Sequence, residues 1–176
     1  IIQTSNINTA ATATGYAIGG ANIISSGNAS FATGYAENSG NSDSEIRASA
    51  NGTFARGIVS SGGQILATGS GATAMGRATF NGLINATGTG SMAIGQTNSD
   101  GIVEASAIGS LAGGYAYQFA KIDSNRNGSF AFGTAYGSTD TYIRSGSGGF
   151  NAGAGSVCFG SAASDGKIIT GNAGAS

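Results

Sequence analysis

The sequence predicts an all-β fold, a parallel β-solenoid or β-roll of about nine rungs built on a repeat of about 19 residues. Three observations predict it. The first is composition: Gly (33), Ala (30) and Ser (24) make up about half of the 176 residues, with three Leu and no Pro, Trp or His. So little Leu, Lys and Glu beside so much glycine argues against packed helices. The second is a near-constant repeat length, and the third is that each repeat carries two alternating stretches separated by turn-forming residues.

The repeats fill the chain as one domain, residues 1–176, without a linker or a shift in composition. The units are 9–27, 28–50, 51–69, 70–88, 89–107, 108–126, 127–146, a truncated 147–153 and 154–172. Most have 19 residues; unit 28–50 has four more and unit 127–146 one more. The consensus is roughly x-G-S-Φ-A-x-G-x-A-x-x-x-G-x-I-x-A-x-G. Its first alternating stretch is seen in Ser129-Phe130-Ala131-Phe132-Gly133, its second in Gly82-Leu83-Ile84-Asn85-Ala86-Thr87-Gly88. Alternation sends every second side chain to the same face of a strand. Steps such as Asn51-Gly52, Asn81-Gly82 and Asn127-Gly128 supply turns between strands.

The small residues of the first stretch, such as Ser91 and Ala93 or Ser129, Ala131 and Ala135, predict a narrow interior. The second stretch adds a ladder of larger apolar residues that fills it: Ile23 or Ile24, Ile65, Ile84, Val103, Ile122 and Ile168. The residues between the small ones then point outward. They form an apolar stripe of Phe31, Phe54, Met75, Met92, Ile94, Leu111, Phe130, Phe132, Val157 and Phe159. An outward stripe of this kind marks an interface, so the expectation is self-association. The alternative is a reversed assignment, with the stripe as the core and the Ala/Ser face exposed.

The stretches Ser91-Met92-Ala93-Ile94-Gly95, Thr73-Ala74-Met75-Gly76-Arg77-Ala78 and Ser129-Phe130-Ala131-Phe132-Gly133-Thr134-Ala135 resemble the YadA-like head repeats of trimeric autotransporter adhesins. The resemblance implies a left-handed parallel β-roll that forms a trimer, with the apolar positions packed between chains. It also implies an extracellular or cell-surface location and adhesion to host or matrix surface molecules. The arm G-x-I-x-A-x-G makes the present repeat longer than that family's usual one, and no heptad stalk or membrane anchor is expected within these 176 residues.

Other function classes find little support. Without His, no Ser-His or Cys-His nucleophile pair exists. The acids Asp100 and Asp165 stand in Ser-Asp-Gly steps and read as turn formers, and Asp43 and Glu45 fall on the long insertion, so no enzyme is expected. No unit has the G-G-x-G-x-D form of calcium-binding rolls, and no cofactor or metal site is expected. Seven Lys+Arg against eight Asp+Glu leave no basic footprint for nucleic acid. No apolar run reaches the length of a membrane span. Arg56 and Arg77 fall at nearly the same place in successive units, and Cys158 takes a position that other units fill with Ala.

The four Asn-x-Ser/Thr sequons (Asn28, Asn51, Asn85, Asn127) are about what this composition gives by chance. Ice binding, the minor alternative, needs one regular column of Thr. Thr12, Thr14, Thr33, Thr68, Thr87 and Thr97 spread over several columns. The main alternative is a subunit of an extracellular filament that stacks end to end through an arm of Ile1, Ile2 and Ile7. The longest loop, Glu37–Arg47, is the expected contact surface.

Overall fold

The computed structural model describes residues 1–4, 10–39, 43–146 and 155–170. Strand β1 (Ile2–Thr4) comes first, and every later strand belongs to a pair, one long and one short. The pairs are β2 (Thr12–Ile18) with β3 (Asn22–Ser25), β4 (Phe31–Glu37) with β5 (Glu45–Ala48), β6 (Phe54–Ser60) with β7 (Gln64–Ala67), and β8 (Thr73–Thr79) with β9 (Leu83–Ala86). They continue as β10 (Met92–Asn98) with β11 (Ile102–Ala105), β12 (Leu111–Tyr117) with β13 (Lys121–Ser124), β14 (Phe130–Tyr136) with β15 (Tyr142–Ser145), and β16 (Val157–Ala163) with β17 (Lys167–Thr170).

Two parallel sheets result, one of the eight long strands and one of the nine short strands, each in chain order. This is a β-solenoid. Long strands pair in register, so that Thr73, Met92 and Leu111 share a column at 19-residue steps. The insertions lengthen two steps, from Phe31 to Phe54 and from Phe130 to Val157, without disturbing the register. Eight long–short pairs and the single strand β1 stand where the repeats suggest about nine rungs. The truncated unit 147–153 lies outside the described residues, and β14 pairs directly with β16.

Two kinds of corner close each rung. After most long strands both central turn residues take positive φ, as in Phe80 (48°) with Asn81 (60°) and Ser99 (50°) with Asp100 (63°). This is the type I′ pattern, closed by bonds such as Gly82 N–H to Thr79 O. Asp100 and Asp165 (φ 68°) are thus turn formers, as their Ser-Asp-Gly context suggests. After the short strands only the second central residue needs positive φ, supplied by Gly71, Gly90, Gly109 and Gly128. The recurring Ser or Thr that follows has a local task. Ser30, Thr53, Ser110 and Ser129 donate their hydroxyls to the carbonyls of Gly27, Ala50, Ala107 and Arg126, three residues back.

The core is narrow. From the long strands it takes Ala32, Ala55, Ala74, Ala93, Ala112, Ala131 and Cys158 in one column, and Ala36, Val59, Ala78, Thr97, Ala116, Ala135 and Ala162 in another. Between them runs a column of glycines, Gly15, Gly34, Gly57, Gly76, Gly95, Gly114, Gly133 and Gly160. The short strands contribute Ile23, Ile46, Ile65, Ile84, Val103, Ile122 and Ile143, all fully buried. The two sets interlock: a Cβ placed on Gly57, Gly76 or Gly133 would sit 2.6, 3.0 or 2.7 Å from the Cδ1 of Ile65, Ile84 or Ile143. The reversed assignment of faces is therefore excluded. Ile23, not Ile24, is the inward residue of β3, and Ile46 and Ile143 complete the ladder.

Candidate functional site: the outer face of the long-strand sheet

Inward Ala and Gly leave the first, third, fifth and seventh residues of each long strand on the outer face. All ten residues of the predicted stripe lie there, in two adjacent columns. The first column holds Thr12, Phe31, Phe54, Thr73, Met92, Leu111, Phe130 and Val157. The second holds Thr14, Thr33, Arg56, Met75, Ile94, Gly113, Phe132 and Phe159. Rings in neighbouring rungs stack, Phe31 on Phe54 at 5.5 Å between centroids and Phe132 on Phe159 at 5.9 Å. The stacking follows from register, since identical columns of a parallel sheet bring like side chains together. Gly113 has a packing reason as well: a Cβ there would lie 2.4 Å from the Phe132 ring.

The remaining two columns are mixed. One runs Tyr16, Tyr35, Ile58, Arg77, Gln96, Tyr115, Thr134 and Ser161, the other Ile18, Glu37, Ser60, Thr79, Asn98, Tyr117, Tyr136 and Ala163. Five of the six tyrosines stand here, which the repeat pattern signals only through their outward parity and which sequence reasoning passed over. Tyr16 stacks on Tyr35 at 5.6 Å and Tyr117 on Tyr136 at 5.0 Å. The Tyr35 hydroxyl donates to a Glu37 carboxylate oxygen at 3.1 Å, and this bond leads the causes that raise the Tyr35 phenol above its ordinary pKa.

Charge is scarce on this face. Arg56, Arg77 and Glu37 are its only charged side chains. Arg56 stands opposite Met75, and Arg77 opposite Ile58, so the two cations are diagonal neighbours, both exposed.

The opposite outer face, on the short strands, holds the ion pairs. Lys121 lies 2.6 Å from Glu104, Arg144 3.0 Å from Asp123, and Arg47 2.7 Å from Glu45. Asp123 is almost wholly buried beneath its neighbours, and burial raises its pKa although Lys121 and Arg144 pull it down. Here the expected loop needs correction. Glu37 ends β4, and Glu45–Ala48 is strand β5 with Glu45 buried, because Glu45 pairs in register with Gln64. Asp43 is exposed beside it, and residues 40–42 lie outside the described residues.

Cys158 sits in the buried Ala column, where burial pushes its thiol pKa up. The threonines fall on separate surfaces: Thr12, Thr14 and Thr33 on the long-strand face, Thr97 in the core, Thr68 and Thr87 at a corner. Of the expected stacking arm, Ile1 and Ile2 are exposed, with Ile2 in β1 paired to Ile23 of β3, and Ile7 lies outside the described residues. Among the described residues no group of three or more His, Cys, Asp or Glu could hold a metal ion, and no helix is long and apolar enough to cross a membrane. Comparisons with protein-family models, curated proteins and solved structures find no match to this chain.

Proposed function

We propose that this chain is a structural element of an extracellular adhesive fibre, a rigid β-roll that associates with further copies of itself through the Phe/Met/Ile stripe. Its exposed turns and the mixed half of the long-strand face would present the surface for attachment to host or matrix molecules. The observation that carries this proposal is the two-column stripe itself. With rungs about 4.8 Å apart and residues about 3.3 Å apart along a strand, the stripe covers roughly 400 Å². A patch of this size matches the largest apolar patch of a typical monomer, which is often functional. The occupant fits a second copy, because the stripe is uncharged apart from Arg56 and its ladder of like rings can meet an identical ladder.

The resemblance to YadA-like head repeats supports the same proposal, since those heads bury the corresponding positions between chains. Near-neutral charge and backbone pairing between all rungs suit an exposed, protease-rich setting. The test is the assembly state of the purified chain by light scattering with negative-stain imaging, repeated for a Phe130→Ser/Phe132→Ser variant. A discrete trimer that the variant dissociates, with unchanged circular dichroism, is expected. Long unbranched filaments that survive in the variant would instead favour end-to-end stacking. A stable monomer at high concentration overturns both.

A further inference from the structure

We infer that the tyrosine pairs Tyr16–Tyr35 and Tyr117–Tyr136 are sites of oxidative cross-linking, where a one-electron oxidant joins neighbouring rungs through a dityrosine bond. This does not rest on the adhesive proposal. The members of each pair are direct partners in adjacent parallel strands, Tyr16 opposite Tyr35 in β2 and β4, Tyr117 opposite Tyr136 in β12 and β14. Their rings are nearly parallel, at 15° with centroids 5.6 Å apart and at 17° with centroids 5.0 Å apart. Each pair has an accessible member, Tyr16 being 59% and Tyr136 47% exposed. The backbone ladder fixes their Cα atoms while exposed rings turn on a picosecond-to-nanosecond scale, so two radicals formed here meet without diffusion.

The chemistry needs two phenols, and the oxidant is hydrogen peroxide delivered by a haem peroxidase. Each phenol loses one electron and one proton, giving two phenoxyl radicals, and the two electrons and two protons reduce one peroxide to two waters. The radicals pair their electrons in a carbon–carbon bond between the positions ortho to each oxygen. Each of those carbons then releases its hydrogen as a proton, which returns to the phenolate oxygen and restores the aromatic ring. At the first pair Glu37 is placed to receive the Tyr35 proton as the electron leaves, through its existing hydrogen bond of 3.1 Å. The second pair has Tyr115 beside it, 6.1 Å from Tyr117 on the same strand. Outside the tyrosines, competing oxidation falls on methionine, with Met92 37% exposed, because the chain has no Trp or His and its single Cys158 is buried.

The test treats the intact chain with peroxidase and hydrogen peroxide, follows dityrosine fluorescence, and maps joined peptides by mass spectrometry after digestion with a broad-specificity protease. Peptides joining Tyr16 to Tyr35 and Tyr117 to Tyr136, two hydrogens lighter than their sum, are expected in the monomer band of a denaturing gel. Their initial rate per chain should not change over a tenfold range of protein concentration. Tyr136→Phe keeps the ring stack and should remove the Tyr117–Tyr136 product while sparing Tyr16–Tyr35. Glu37→Gln should slow the Tyr16–Tyr35 product severalfold and leave the other unchanged. Joined peptides found only between chains, or formed equally by Tyr142 in the other sheet, would overturn the inference, as would methionine oxidation alone.

Discussion

Replacing Gly76 by alanine isolates what the glycine column does. Gly76 lies mid-strand in β8 with φ +142°, and its new Cβ would fall 1.8 Å from the Gly95 carbonyl oxygen of the next rung and 3.0 Å from Ile84 Cδ1. An L-residue held at such a backbone angle costs about 1–3 kcal/mol. The overlap with Gly95 cannot be relieved by a rotamer, because the obstacle is backbone. Relief means parting β8 from β10 locally, and each lost backbone bond costs about 1 kcal/mol, more if its groups stay buried and unpaired. Together these give about 4 kcal/mol or more, the range reserved for severe core damage.

Gly109→Ala is the matched control. Gly109 also has positive φ (+62°), but a Cβ there meets nothing within 4 Å, so only the left-handed penalty of about 1–2 kcal/mol applies. Guanidinium unfolding followed by circular dichroism compares the two, and hydrogen exchange at residues 73–79 and 92–98 locates the damage. Gly76→Ala should lose at least twice the stability of Gly109→Ala and lose protection in those two strands. Equal losses, or protection lost evenly along the solenoid, would refute the account of the column.

Thr97 occupies the buried Ala column with its hydroxyl unpartnered, while Val59 fills the same column two rungs away and is likewise fully buried. Thr97→Val should therefore stabilise the chain by about 1 kcal/mol, read as a higher guanidinium midpoint at unchanged slope. At Asp123 burial raises the folded pKa above the ordinary carboxylate value, so the native state holds that proton more tightly than the unfolded chain. The stability tied to this proton is present below the unfolded value and is lost as pH rises through the folded one. The melting temperature of the natural chain relative to Asp123→Asn should then fall as pH rises from about 4 towards neutrality, and a gap that widens the other way would contradict the assignment.

The outward stripe and the inward Ala column were legible in the sequence because both follow from two-residue alternation within one repeat. The tyrosine pairs were harder to find. Tyr117 and Tyr136 stand in successive units at an outward position that other units fill with Ile, Glu, Ser, Thr, Asn or Ala, so no consensus flags them. Their stacking is a property of register between rungs, not of either unit. Ile46 and Ile143 escaped for a related reason: each lies in a unit lengthened by an insertion, which shifts its count from the unit start.

Repeat length, the strand–turn rhythm and the predominance of small inward residues were determined by the sequence alone. Alternation, however, leaves two choices of face and a slip of one residue in every short strand. Only pairing between rungs chose Ile23 over Ile24, joined β14 to β16, and placed Glu45 in a strand instead of a loop. The tertiary structure also explains the invariant glycine of each long strand. At Gly34, Gly57, Gly76 and Gly133 the isoleucine methyl across the core and the carbonyl of the next rung leave no room for a Cβ; at Gly15, Gly95 and Gly114 the carbonyl is the obstacle, and at Gly160 the isoleucine. Neither neighbour is close along the chain.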